Sequence, residues 1–475
     1  MAEPYNIGCP IEPSKGALRA HSVQVSPFRP ATLEPRPFLD RFSVTEILLL
    51  GLLLRLVLAP FTGHPWDVKV FISTGRNIAY EHVSPYSYSY KYYYNYPPLF
   101  AYWLGLSFFL FLSLGGNPQD TYPTLMILLM KVPVILADTA IAIILYHLVL
   151  KRRPDEARRT LVGWVFNPFV IMVSTMWGQI DMIPGLMALL SALYLSEGRL
   201  LPSILALAMF FSVKPYPLIP LLVPAIMILL LKTNRQKRFL VGYVLVPVGV
   251  FILFSAPFLL WDLSGFYYQL FVFQGTRIGT VHDPWGTFWT PILIFQMLAP
   301  QIFSYETIHP IVTALSLFAA FILYGVLIVN IRKWSFDELS SYRVFIAVSM
   351  IFYLANRIFE ETYLLWCFPC FAFVSSITDP ALFRRFTQIA LTWNLLRYLG
   401  PFYFLTPSIA AFQAIVVWHY VVLRPFLLSI SGVLLGSFML LYLDEAKAIS
   451  LPEKAKAYLN RIVLSFRRMF EILPA

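Results

Sequence analysis

Charge is scarce in this chain. Only 13% of its 475 residues are Asp, Glu, Lys or Arg, against 58% hydrophobic residues and a mean hydropathy of +0.69. A soluble domain carries about twice that share of charge, so lipid must supply much of the solvent here. Cysteine is nearly absent as well. Cys9, Cys367 and Cys370 are the three present, and with no second Cys-x-x-Cys the Cys367-Phe-Pro-Cys370 run reads as helix packing rather than a metal or redox site. The first forty residues, rich in Pro, Ser and charge, lack the apolar core of a cleaved signal peptide. No Gly-rich nucleotide loop is evident. Strand-like alternation is missing too, and long unbroken apolar runs exclude a membrane β-barrel.

What remains is an all-α polytopic integral membrane bundle. The first apolar run, about Phe42 to Phe61, has the roughly 20 residues needed to cross hydrocarbon, and Arg19, Arg29, Arg36 and Arg41 before it place the amino terminus in the cytoplasm. Further runs fall near 98–114, 124–150, 160–176, 182–195, a pair within 200–231, 239–260, a short or re-entrant piece at 290–303, then 311–331, 342–355, 363–377 and three more before Leu443, giving about 12 to 14 spans. The net charge of +11 sits in short clusters between these runs, as positive-inside sorting produces, and argues for topology rather than nucleic-acid binding. One conflict remains. Three crossings from a cytoplasmic start put Lys151-Arg-Arg on the outside, so one early segment is expected not to cross fully. The division is therefore a polar tail at 1–41, a transmembrane domain at 42–443 with an external first loop at 62–97, and a basic amphipathic tail at 444–475 suited to a membrane surface.

The first loop holds His64, Asp67, Arg76, Glu81 and His82, then a tyrosine-dense stretch ending in Asn95-Tyr96-Pro-Pro-Leu. Tyrosines at that place form an interfacial belt or line a site. Asp67 is a helix cap, a solvated charge, or a general base facing the aqueous side. Four other constellations carry polar chemistry. Trp177-Gly-Gln179-Ile-Asp181 is a boundary turn or a binding turn. Lys214 interrupts an apolar run beside two prolines, where a cation is costly unless it snorkels or has a function. The loop from Trp261 to Trp289 contains Arg277, His282 and Asp283, and Asn356-Arg357-Ile-Phe-Glu360-Glu361 closes the set. An Arg in these loops can grip a phosphate bidentately or pair with a neighbouring Glu. Lys131 and Asp138 lie two turns apart on one helix face and are expected to pair with other helices.

Taken in order, these motifs resemble the polytopic GT-C glycosyltransferases that take sugars from polyprenyl phosphates, most closely the dolichyl-phosphate-glucose glucosyltransferases of N-glycan precursor assembly. Asp67 stands where that family has its first-loop catalytic Asp, and Asn95-Tyr-Pro-Pro-Leu-Phe-Ala-Tyr is similar to its Asp-Tyr-Pro-Pro-Leu-Thr-Ala-Tyr. Leu136-Ala-Asp138, Asn167-Pro168 through Gln179, Lys214, and Arg277 with Asp283 and Phe288-Trp289 follow the family's later series. The family's Val-His-Glu-Lys appears here as Phe359-Glu360-Glu361-Thr362, a departure that bears on the donor phosphate and on the sugar.

The resemblance implies an inverting hexosyltransferase with Asp67 as base. Arg357, Lys214 and Arg277 would be phosphate ligands, and His282, Asp283, Glu360, Glu361, Gln179, Asp181, Tyr96 and Trp289 would line the substrate site. The donor would be a polyprenyl or dolichyl phosphate hexose, glucose or mannose, and the acceptor a lipid-linked glycan. No resident cofactor is expected. The first loop has no Asp-x-Asp pair to support a divalent metal. Few cysteines and short loops point to a prokaryotic plasma membrane, or the endoplasmic reticulum if the source is eukaryotic. A transporter or lipid flippase is the alternative, although no convincing repeat between halves is visible.

Overall fold

The computed structural model of the chain describes residues 41–87, 94–214, 222–223, 226, 236–273, 301, 304–334, 337–356, 360–398 and 424–470. From Phe42 onward the chain forms one compact unit. Among the described residues the regular elements are helices and no strand occurs. Five helical stretches are long and apolar enough to cross a membrane: Val44–Phe61, Thr124–Leu150, Pro154–Trp177, Val241–Trp261 and Pro310–Ile331. Shorter apolar helices lie between them, among them Met182–Ser196, Leu200–Val213, Ser340–Ala355 and Phe368–Thr378. The outward faces of the long helices are apolar: Leu53, Leu253 and Phe321 are 57%, 70% and 82% exposed. So much exposed apolar surface is compatible with a lipid environment and ill suited to water.

Helix ends follow local chemistry. Ser43 opens α1 (Val44–Leu58) through a capping box with Glu46. The span expected to begin at Thr160 starts earlier, at Pro154, because Pro at the first position and Asp155 and Glu156 in the first turn suit a helix amino terminus.

The expected long first loop is the main correction. Residues 65–76 form an amphipathic helix, α2 (Pro65–Arg76), continued by a π-helical turn at Asn77–Glu81. His64 caps it and Pro65 begins it, while Val68, Phe71, Ile72 and Gly75 face inward at helical spacing. α2 packs on α3 (Leu99–Ser113) at Gly75, where a Cβ would lie 2.6 Å from the Leu104 carbonyl oxygen. The tyrosine stretch is not purely interfacial either. Tyr86 and Tyr94 are fully buried and stack edge-on with each other, Tyr86 also meets Phe258 and Phe266, and burial pushes both phenols well above their usual range.

Side-chain ties fix the direction of the early helices. α1 and α4 (Thr124–Leu150) run antiparallel: Lys131 near the start of α4 reaches the Ala59 carbonyl at the end of α1, and Arg55 pairs with Asp138 at 2.7 Å. At the far end Arg158, just beyond α4, donates to the Phe42 carbonyl. Thr62 and Thr124 therefore lie at the same end of the bundle, and Lys151-Arg-Arg lies at the Phe42 end. Within this α2–α3 excursion the Trp103 indole donates to the Leu129 carbonyl near the start of α4. Basic side chains collect at the Phe42 end: Arg152 pairs with Glu338, Arg343 with Asp337 and Lys456 with Asp444. The tail helix Glu453–Phe470 also lies here, and its Ile462 and Val463 pack on the protein core rather than lying wholly free for lipid.

The Arg55–Asp138 pair is sealed inside. Asp138 also accepts from the Trp164 indole at 2.9 Å and the Ser174 hydroxyl at 2.8 Å, and Arg55 donates to the Gly51 and Val165 carbonyls. Removing one partner leaves the other buried and uncompensated. Arg55→Met should lower stability by about 3–5 kcal/mol, and adding Asp138→Leu should recover most of that, read as thermal unfolding of purified protein.

Candidate active site

Opposite the basic end, two chain segments emerge side by side. One follows α1 and leads through His64 into α2. The other closes the stretch that begins with α5 (Pro154–Val165). There Asn167 caps the next helical run by accepting from the Phe169 and Val170 amides, and the chain then widens into a π-helical turn at Met172–Trp177. Gly178 ends that turn at φ +80°, a left-handed conformation that favours glycine. The Asn167-Pro168 motif is thus a helix start, and Trp177-Gly-Gln-Ile-Asp181 is the turn it delivers.

This turn receives Asp67. The Trp177 indole donates to Asp67 Oδ2 at 2.6 Å and the Gln179 amide nitrogen donates to the same oxygen at 2.7 Å. His64 Nδ1 lies 3.3 Å from Oδ2, and its ring stacks on Trp177 with centroids 5.0 Å apart. The carboxylate is 14% exposed. Among the described residues Oδ1 accepts no hydrogen bond. One oxygen is therefore held by two N–H donors, and the two oxygens of the carboxylate are inequivalent.

The same turn organises a second, buried centre. Asp181 is fully buried ahead of α6 (Met182–Ser196); its Oδ1 accepts from the Trp366 indole at 2.6 Å, and its Oδ2 lies 3.1 Å from Lys214 Nζ. Lys214 terminates α7 (Leu200–Val213) and is 1% exposed. Its ammonium stands 4.3 Å from the Tyr96 ring centroid and 5.5 Å from that of Tyr363, a cation–π sandwich. Lys214 does not snorkel to an interface. Asp181 neutralises it inside the protein.

Of the expected site residues, Asp67, Gln179, Asp181, Lys214 and Tyr96 therefore come together around one turn. Glu360 immediately precedes the 3-10 run Glu361–Trp366 and its carbonyl accepts from the Tyr363 amide at 2.9 Å, so it adjoins this centre through the backbone. Glu361 begins that run. Arg277, His282, Asp283, Trp289 and Arg357 lie outside the described residues. Among the described residues no group of three His, Cys, Asp or Glu is arranged to hold a metal ion. Sequence reasoning passed over Trp177, His64 and Trp366 as site residues. The available signal was the placing of Trp177 and Gln179 on either side of a glycine, which lets both aim donors to one point.

No protein-family model matches the chain, and no curated protein is significantly similar to it.

Lys214→Met should leave Asp181 buried with only the Trp366 donor and lower stability by about 3–5 kcal/mol in thermal unfolding, with Lys214→Met plus Asp181→Leu recovering most of the loss.

Proposed function

We propose that this chain is a membrane-embedded inverting glycosyltransferase of GT-C type with about 12 to 14 spans, moving glucose or mannose from a polyprenyl or dolichyl phosphate to a lipid-linked glycan. The observation that carries the reading is the Asp67 carboxylate, anchored at Oδ2 by Trp177 and Gln179, with no hydrogen bond to Oδ1 among the described residues, at the end of the bundle away from the basic clusters. The ordered motif resemblance supplies the reaction class.

In this reading Asp67 Oδ1 takes the proton of an acceptor hydroxyl as that oxygen attacks the anomeric carbon. The bond from the anomeric carbon to the phosphate oxygen breaks on the opposite face, and polyprenyl phosphate departs with the electron pair. A phosphate leaving group needs cations more than an acid. Lys214 is already committed to Asp181, so Arg277 and Arg357 are the phosphate ligands proposed. The fixed Oδ2 keeps Oδ1 from rotating away, which is the positional advantage a general base requires. Both lipid tails stay in the bilayer while the head groups meet above the Trp177 turn, on the external or luminal face.

Asp67→Asn keeps the shape and removes the base. Purified protein assayed with radiolabelled dolichyl-phosphate glucose and mannose, and a lipid-linked acceptor, should transfer one sugar; the variant should lose at least ~100-fold in kcat while retaining donor binding. Transfer that survives in the variant removes Asp67 from the mechanism. Absence of transfer by the native protein with either sugar, together with translocation of a labelled lipid or solute, would favour a transporter.

A further inference from the structure

Lys131 is the one fully buried cation among the described residues with no carboxylate partner: it is 0% exposed, whereas Arg55 faces Asp138 and Lys214 faces Asp181. Its ammonium sits among backbone oxygens instead. Nζ lies 2.9 Å from the Ala59 carbonyl, 2.6 Å from Thr62, 2.8 Å from Thr175 and 3.4 Å from Met176, with the Thr62 hydroxyl at 3.3 Å. Three of these oxygens are within 2.9 Å, and an ammonium has three N–H donors to meet them.

The origin of the cage is elementary. The last carbonyls of a helix lack intrahelical partners and carry the negative end of its dipole. Here two helical ends stop side by side, the one after α1 at Ala59–Phe61 and the π-helical turn at Met172–Trp177. Together they make a ring of oxygens of the kind that binds a bare monovalent cation. Lys131 enters it beneath Gly178, where a Cβ would come within 3.1 Å of both Cγ and Cδ of the lysine stem and closer still to Cε. Glycine at 178 thus leaves room for the lysine as well as permitting the turn. His64 and Asp67 follow one of the two ends, and Gln179 and Asp181 follow the other.

We infer that Lys131 is the positioning residue of the Asp67 centre, a built-in monovalent cation that ties two helix ends together and so sets Asp67 against the Trp177 and Gln179 donors. It touches no substrate. The tie itself stands on geometry, independent of the reaction, and only its effect on turnover rests on the transferase reading.

Lys131→Ala removes three methylenes and the ammonium, the outline of n-propylammonium. The full-length variant, purified in detergent, is melted in n-propylammonium chloride and in sodium chloride at equal ionic strength. It should melt well below the native protein in sodium and regain most of the loss in propylammonium. The native protein and Lys131→Met, whose side chain fills the cage, should show no such gain. A Lys131→Ala chain recovered folded only with the amine present gives the same positive result. A variant that melts alike in both salts, or is misfolded in both, overturns the inference, as does a Lys131→Met that matches the native protein. In the transferase assay Lys131→Met should lose ~10-fold or more in kcat with donor KM within ~2-fold, because the base is misplaced while the donor still binds. A native protein without transferase activity but with intact amine rescue counts against the transferase reading alone.

Discussion

Two helices that stop next to each other inside an apolar bundle leave carbonyl oxygens that water does not reach, and the arrangement around Asp67 depends on how those oxygens are met. A carboxylate is the wrong partner, and a hydroxyl satisfies one oxygen at a time. A single ammonium on a long stem, pushed in from a third helix, meets several together. Lys131 does so, and its presence lets the chain make two abrupt exits within hydrogen-bonding distance of each other. Asp67 is then steadied by donors from the other exit. Two donors on one oxygen fix where the other oxygen of the carboxylate stands.

Polar groups inside the described bundle follow one pattern. Arg55 and Asp138 close a network with Trp164 and Ser174; Ser174 lies 3.2 Å from the Thr175 hydroxyl, and the Thr175 carbonyl accepts from Lys131. A connected polar seam thus climbs from the last turn of α1 and the middle of α4 to the turn that holds Asp67. Satisfied networks of this sort specify one packing among many apolar alternatives, because any slip strands a charge. In a surface made largely of exchangeable leucine and phenylalanine, that seam supplies the register.

Most of the helical segments were legible in the sequence, because length and hydropathy alone set them; the expected run at 124–150 coincides with Thr124–Leu150. The two-turn spacing of Lys131 and Asp138 also pointed to interhelical ties, although the carbonyl partners of Lys131 did not announce themselves. α2 was hidden because its residues alternate Lys69 and Arg76 with Val68 and Phe71, a pattern suited to a helix packed beside the bundle but too polar to score as a span. The partners of Asp67 lie 110 and 112 residues away, and the Trp366 indole that meets Asp181 lies 185 residues away, distances that local pattern does not bridge. Lys214 stood out as a costly cation, yet its neutralising Asp181 and flanking Tyr96 and Tyr363 depend on three other elements meeting.

The excursion formed by α2 and α3 bears on how the chain is laid out. α3 packs beside α2 and α4, and the excursion brings the chain back to the end of the bundle at which it left α1. The direction of α4, and of the stretch that follows it, is set by that return. An excursion that ended at the other end would reverse α4, carry Lys151-Arg-Arg away from Phe42, and part Asp67 from the two donors that hold it. A local detour of the chain thus decides which distant residues can ever become neighbours.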